Sequence, residues 1–570
     1  MKLLVAAFAL GLMVSAPAAA KPSISRSARA KIGGTKSGKL VAPIGKGAPQ
    51  ITVGSLGELR PAREVSGRRD DKLTPEDETA QQIAKLLRGP LRNSHTGLFV
   101  ADARTGAPLF AINPDDAVNP ASNVKMISTA TALELLGPEF RYTTRLLGPE
   151  PRSGVVHGDV FLLGSYDPTL TTADLGDLAT AVAQRGITSI DGNIVVGADP
   201  TRDGLYHAII PIEITAGEPG REPIAITPLG ADHVTINVTA KTAKRAQRPR
   251  LAYQTTVTTE AGRPRITVTI SGTIGNGGHV TYPLVTRERT ATAVYALRAA
   301  LRARGVTVTG DLKVAELGDF VGDTVGAGSL PLELGRHESK PLSSIVLRVN
   351  KWSVNWLADR VIMTAAALTR RQPPSMEVAL DAMYGWLGRH ANLGKGDVYI
   401  DTGSGLSYRT QISPHELASI IRSAAGFVPS GAMPEAAHAW LDSLSIAGTD
   451  GTLRRRFQFS DVRGKIRGKT GTLSTVIAIS GVLDIDPQRP VVFSLVTNTR
   501  RPLAKGSVRK AHEQVVAALC AYLAKTAQIP TAEPHALEPA TPTAADEVEE
   551  TEPDPAPELE SGLAPEPGTP

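Results

Sequence analysis

The chain has 570 residues, 41% of them hydrophobic and 21% charged, with a formal net charge of +6; it can bury a large core and is too long for one ordinary domain. Its single cysteine, Cys520, excludes a disulfide within the chain and lies in an apolar run, Val515 to Leu519, that reads as core. Eleven histidines without a paired ligand spacing argue against a metal site, and no cofactor is called for.

Met1-Lys2, the apolar run Leu3 to Val14 and Ala18-Ala19-Ala20 have the charged start, short greasy centre and small-residue exit of a signal peptide over 1–20. Left uncleaved, it would serve as a membrane anchor. No later apolar run approaches the ~18 residues of a membrane span, so none is expected after cleavage, and the product is placed outside the cytoplasm, periplasmic or secreted. Residues 21–70 are basic and poor in apolar side chains, and are expected to form a disordered arm. At the other end, 529–570 is rich in Pro, Ala and Glu, and Thr531 to Pro570 holds eleven acidic residues and no Lys or Arg. Such a tail cannot repay the entropy of folding and is expected to be disordered. The body is therefore more basic than the whole chain; with export, its charge fits an anionic wall polymer better than nucleic acid, and equally a solvated surface with no specific partner.

Leu98 to Asp102 and Leu109 to Ile112 flank Arg104-Thr105-Gly106, a hairpin signature. Next, Pro120-Ala121-Ser122 opens a stretch whose apolar positions (Val124, Met126, Ile127, Ala130, Leu133, Leu136) predict a buried helix ending at Gly137. Strand patterns then crowd the interval 154–325: Val160 to Leu163, Ile194 to Val196, Val234 to Val238, Val257 and Ile266 to Ile270. Far downstream, Ile466 to Thr470, Val476 to Ile479 and Val491 to Val496 read as consecutive strands, and Ser507 to Lys525 as a closing helix. Strands at both ends with helices between predict an α+β domain with an antiparallel sheet, built from 71–153 and 326–528. The interval 154–325 is an inserted domain, with room for a second nested in it.

Three short motifs carry the chemistry: Ser122-Asn123-Val124-Lys125, Ser353-Val354-Asn355 and Lys469-Thr470-Gly471. A serine hydroxyl needs a base to become a nucleophile, and Lys125 stands one helical turn from Ser122. Each motif alone is cheap: Ser507-Val508-Arg509-Lys510 and Lys36-Ser37-Gly38 are matches in the wrong context. Asp401-Thr402-Gly403-Ser404 looks like an aspartic-protease loop, but that chemistry needs two carboxylates and no second such loop exists. Gly464 to Thr470 is one residue short of a phosphate loop. Gly403, Gly405, Gly448 and Gly451 read as turn residues, Asp450 as a turn cap, and Trp352 and Trp356 as packing residues.

Taken with Asp401 to Ser407, Ala447 to Leu453 and Gly468 to Leu473, the motifs resemble the class C low-molecular-mass penicillin-binding proteins, the D-alanyl-D-alanine carboxypeptidase/endopeptidase family. The likeness runs from about Thr79 to Leu523. It implies a transpeptidase/β-lactamase-like core split by the insert, peptidoglycan stem peptides as substrate and β-lactams as covalent inhibitors. It further implies Ser122 as nucleophile, Lys125 as its proton acceptor with Lys469 as the neighbouring cation, Ser353 as proton relay and Asn355 as the group that positions the substrate amide. Lys469 and Thr470, with Gly471 and Thr472 of the same strand, would bind the substrate, and the N–H groups of Ser122 and Thr472 would form the oxyanion hole. One stretch departs from the family pattern, in which Trp and Asp of the insert meet the stem peptide's diamino acid. Here Ile209 to Pro223 contains neither, leaving Glu213 or Glu218 as the candidate contact. The rivals are a β-lactamase, with the same chemistry and faster deacylation, and a silent peptidoglycan-binding protein.

Overall fold

The computed structural model describes residues 73–527 apart from 90, 93, 198–208, 228–232, 261–262, 286–288, 459–460 and 503, together with the strands Thr52–Ser55 and Glu58–Pro61. The signal segment 1–20 and the tail 529–570 lie outside the described residues. The architecture is the expected α+β one. Its central sheet has eight antiparallel strands in the order Glu58–Pro61, Thr52–Ser55, Pro108–Ile112, His95–Asp102, Val491–Asn498, Val476–Leu483, Ile466–Leu473, Ser445–Ile446. The two ends of the chain meet at its centre, where His95–Asp102 pairs with Val491–Asn498.

Because side chains alternate across a strand, a predominantly apolar run such as Val491 to Val496 feeds two cores at once. Val492 and Val496 face a cluster with Ala130, Leu133, Val361 and Trp440. Phe493 and Leu495 face the opposite cluster, with Ile83 and Leu87 of Pro75–Arg88 and Val515 and Leu519 of Lys505–Thr526. Helix Lys125–Leu136 ends at Gly137 as its spacing predicts; Gly137 has φ +82°, and its N–H donates to the Leu133 carbonyl at 2.9 Å. It is buried on every side from Lys125 to Leu133, which makes it the central helix of the larger core.

The insert holds two more cores. One packs helices Asp174–Gln184 and Arg289–Ala303 on a five-stranded sheet; the other, reached from Ile209 to Leu284, is built of strands alone. The five-stranded sheet extends past both expected boundaries. Thr143–Gly148 and Leu332–Glu338 pair with each other, and Thr143–Gly148 pairs with Val160–Leu163. We accordingly place the insert at 143–338 rather than 154–325. The mixed polarity of Leu332–Glu338 hides it in the sequence, as befits a strand at the edge of its sheet.

A second correction concerns the arm 21–70. Within it, Thr52–Ser55 and Glu58–Pro61 form an antiparallel hairpin laid against the free edge of Pro108–Ile112. An open strand edge offers unpaired N–H and C=O groups, so even a short segment of low apolar content can pair there. Among the described residues no helix is long and apolar enough to cross a membrane.

Candidate active site

Ser122 sits in a single 3-10 turn, Ala121–Val124, that runs directly into helix Lys125–Leu136. The turn is held from two sides by glycines at which a Cβ would press on backbone. A Cβ on Gly471 of the Lys469 strand would lie 2.5 Å from the Pro120 carbonyl oxygen. One on Gly405, whose φ is +74°, would lie 2.1 Å from that of Ala121. Gly471 therefore serves the site as a point of close approach, and Gly405 is the turn residue its spacing predicts.

Lys125 is fully buried. Its Nζ donates to Ser122 Oγ at 2.9 Å, to Asn355 Oδ1 at 2.6 Å and to the Ser404 carbonyl at 2.7 Å. Asn355 begins helix Asn355–Arg370, and Ser353 ends the preceding helix Leu342–Trp352 in the left-handed region, φ +62°. That corner turns the Ser353 hydroxyl toward Lys469, whose Nζ donates to Ser353 Oγ at 2.7 Å and to the Thr470 carbonyl at 3.0 Å. The three motifs, more than 100 residues apart from one another, thus meet in one hydrogen-bonded group.

The electrostatics follow from burial. Lys469 is also fully buried, and its amine is held well below the usual lysine range, first by desolvation and then by the charge of Lys125. Two ammonium groups packed this closely repel, so the pair favours giving up a proton. Behind Lys125, burial raises the carboxyl of Asp359 above its ordinary value, opposed by hydrogen bonds from Ser404 and by the Lys125 charge. Asp359 Oδ1 accepts the Ser404 N–H at 2.7 Å, so this carboxylate fixes the loop whose carbonyl holds Lys125.

In front of the group lies a cavity of about 460 Å³, lined by Ser122, Ser353, Asn355, Thr470 and Thr472. Thr470 Oγ1 donates to Thr452 Oγ1 at 3.0 Å, and Arg509 donates to Thr472 Oγ1 at 3.3 Å. The remaining wall was not anticipated from the sequence: Arg248 from the insert, Thr452, Arg455, Arg456, Arg509 and Glu513. Arg509 belongs to the Ser507 segment dismissed above as a false match, while Arg454-Arg455-Arg456 is a visible basic run just past the Ala447 to Leu453 motif. Asp359, four residues past Asn355 on one helix face, also had a legible signal.

Other expected roles sort as follows. Asp450 holds its turn by accepting the Ile446 N–H at 2.7 Å, and it pairs with Lys351. Trp356 packs on the core beneath Arg360, whereas Trp352, expected to pack, is 42% exposed. Glu213 is on strand Ile209–Thr215, where it binds His279 at 2.7 Å and Thr281 at 2.9 Å. Glu218 is exposed in the turn that follows. Neither Glu213 nor Glu218 is among the residues lining the cavity.

Residues 79–519 match the model of the D-Ala-D-Ala carboxypeptidase 3 (S13) family. The chain belongs to that family. Among similar proteins, a D-alanyl-D-alanine carboxypeptidase of an Actinomadura species is 26% identical over 492 residues, covering 79% of this chain and 85% of the relative. Carboxypeptidase DacB of Mycolicibacterium smegmatis is 25% identical over 454 residues, 75% and 83% of the two chains. The crystal structure of penicillin binding protein 4 from Haemophilus influenzae superposes with a TM-score of 0.58 at 18% identity, covering 77% of this chain and 99% of that one. This last likeness bears on the fold alone.

Proposed function

We propose that the protein is a serine D-Ala-D-Ala carboxypeptidase, active also as a D,D-endopeptidase, that works on peptidoglycan stem peptides outside the cytoplasm. The observation that carries this reading is the 2.9 Å contact between Ser122 Oγ and a buried lysine amine at the wall of an open cavity. Ser122 Oγ attacks the carbonyl carbon of the penultimate D-alanine while its proton passes to Lys125 Nζ. Lys125 can accept it when the one proton that the two buried amines share sits on Lys469. The N–H groups of Ser122 and Thr472 take the developing oxyanion. As the C–N bond breaks, a proton reaches the leaving amine through Ser353, hydrogen-bonded to Lys469, and Asn355 orients the substrate amide. Water then cleaves the ester, releasing a carboxylate product and restoring the Ser122 hydroxyl.

Lys469, Thr470 and Thr472 bind the terminal carboxylate, while Gly471 lets their strand approach the nucleophile. A β-lactam, as a strained acyl donor, is expected to acylate the same oxygen and remain bound. In the insert, Glu218 is the freer candidate for the diamino acid's amine, since Glu213 already has two partners. The test is release of D-alanine from an acylated peptide ending in D-Ala-D-Ala, with products identified by mass. Release by the wild type and none by Ser122→Ala supports the reading; rapid turnover of penicillin without D-alanine release would assign a β-lactamase.

A further inference from the structure

The cavity wall carries four guanidinium groups, Arg248, Arg455, Arg456 and Arg509, against one carboxylate, Glu513. That carboxylate is taken by Arg456 Nε at 2.7 Å. The second terminal nitrogen of Arg456, Nη2, is buried with no hydrogen-bond partner among the described residues. Arg248 and Arg455 are exposed and have no ion pair among the described residues. Burial and repulsion from Arg456 hold the Arg509 guanidinium below its ordinary value, with Glu513 opposing. Like charges gathered in a concave wall raise the local potential and attract an anion.

Their position gives the anion a place on the substrate. Arg509 bonds the Thr472 hydroxyl, and Thr470 bonds Thr452, three residues from Arg455. The arginines therefore lie behind the hydroxyls that, on the reading above, hold the carboxylate of the residue being released. D-Alanine has only that one carboxylate, so it leaves the arginine wall unused. The cavity, about 460 Å³, falls within the roughly 300–1,000 Å³ of ordinary ligand sites.

We propose that Arg248, Arg455, Arg456 and Arg509 form an anion-binding extension on the leaving-group side, which takes a second carboxylate on a leaving group larger than D-alanine. A peptide strand released from a cross-link, with free carboxylates beyond its reacting residue, has that chemistry. The inference rests on the peptidase reading and adds the residues and charge that select the leaving group. The insert takes part directly, since Arg248 reaches the cavity from it.

The test uses full-length protein and a pair of acyl-D-Ala-D-Xaa peptides whose leaving groups are D-glutamate and its neutral isostere D-glutamine, with D-alanine as reference. Wild-type kcat/KM is expected to favour D-glutamate over D-glutamine about tenfold at low ionic strength, and added salt should shrink that ratio. Arg248→Gln, at an exposed position, and Arg509→Gln should each bring the ratio towards one. A wild-type ratio of one, or a ratio unchanged in both variants, overturns the proposal; so does an equal loss on both peptides, which would assign the arginines to the terminal carboxylate alone. A wild type that releases none of the three residues contradicts the peptidase reading itself.

Discussion

Lys125 and Arg248 are both cations of the same cavity, and they are held on opposite terms. Lys125 is fully buried and gives its amine to three oxygens, with Lys469 beside it and Asp359 fixing the loop behind. Arg248 is exposed, comes from the insert and has no ion pair among the described residues. The buried pair of amines to which the first cation belongs favours giving up one proton, as the depression of Lys469 shows. Exposure leaves the second available to an anion in the cavity. The nucleophile's corner is thus built to move a proton, and the arginine wall to select what it meets.

That contrast predicts where substitutions act. Lys125→Met should lower the rate of β-lactam acylation about a thousandfold, within the range of general-base loss, while the protein stays folded. An acylation rate within tenfold of wild type would break the distinction between the two cations. Next in size is the loop that supports Lys125. Gly405→Ala places a Cβ against the Ala121 carbonyl at a positive φ, and should cost about 1–3 kcal/mol together with most of the acylation rate. Urea unfolding and labelling on the same sample check both.

The buried groups should also write themselves into the pH dependence of stability. Lys469 has a folded pKa depressed from 10.5, so between that lowered value and 10.5 the unfolded chain binds a proton that the folded one does not. Stability therefore rises with pH across that window, and Lys469→Met should flatten the rise in urea midpoints. Acylation should fall as pH drops through the depressed value, because both amines then carry protons. On the acid side, His512 is buried against Thr497 at 2.8 Å and pushed down to about 3 by burial. Stability is lost as pH falls from 6.5 towards 3, and His512→Gln should reduce that loss. Variants at the exposed Arg248 and Arg455 should leave both profiles alone.

The smallest effect belongs to the insert's acidic candidates. Glu218→Lys should reduce cleavage of stem peptides with a free diamino-acid amine relative to acetylated ones by about 1 kcal/mol, typical of an exposed ion pair. Identical losses on the two peptides would remove Glu218 from recognition.

The proton-moving corner was legible in the sequence because its parts are local. Ser122 and Lys125 share a helical turn, Ser353 and Asn355 flank a helix junction, and Lys469 to Gly471 lie on one strand. The central sheet was legible for the same reason, since Val476 to Leu483 and Val491 to Val496 are predominantly apolar runs. The arginine wall was not, because Arg248 and Arg509 are neighbours only after the insert and the last helix have folded onto one cavity. Thr52–Ser55 and Leu332–Glu338 escaped for a related reason: an edge strand is defined by the partner it finds more than by its own pattern.

The most direct measurement of the account is the site of the covalent adduct. Full-length protein is incubated with penicillin, digested, and the modified peptide sequenced by mass spectrometry. One acyl group per chain, on Ser122 and lost in Ser122→Ala at unchanged melting temperature, is the expected result. An adduct on Ser507 or Ser353, or labelling that survives Ser122→Ala, would contradict it.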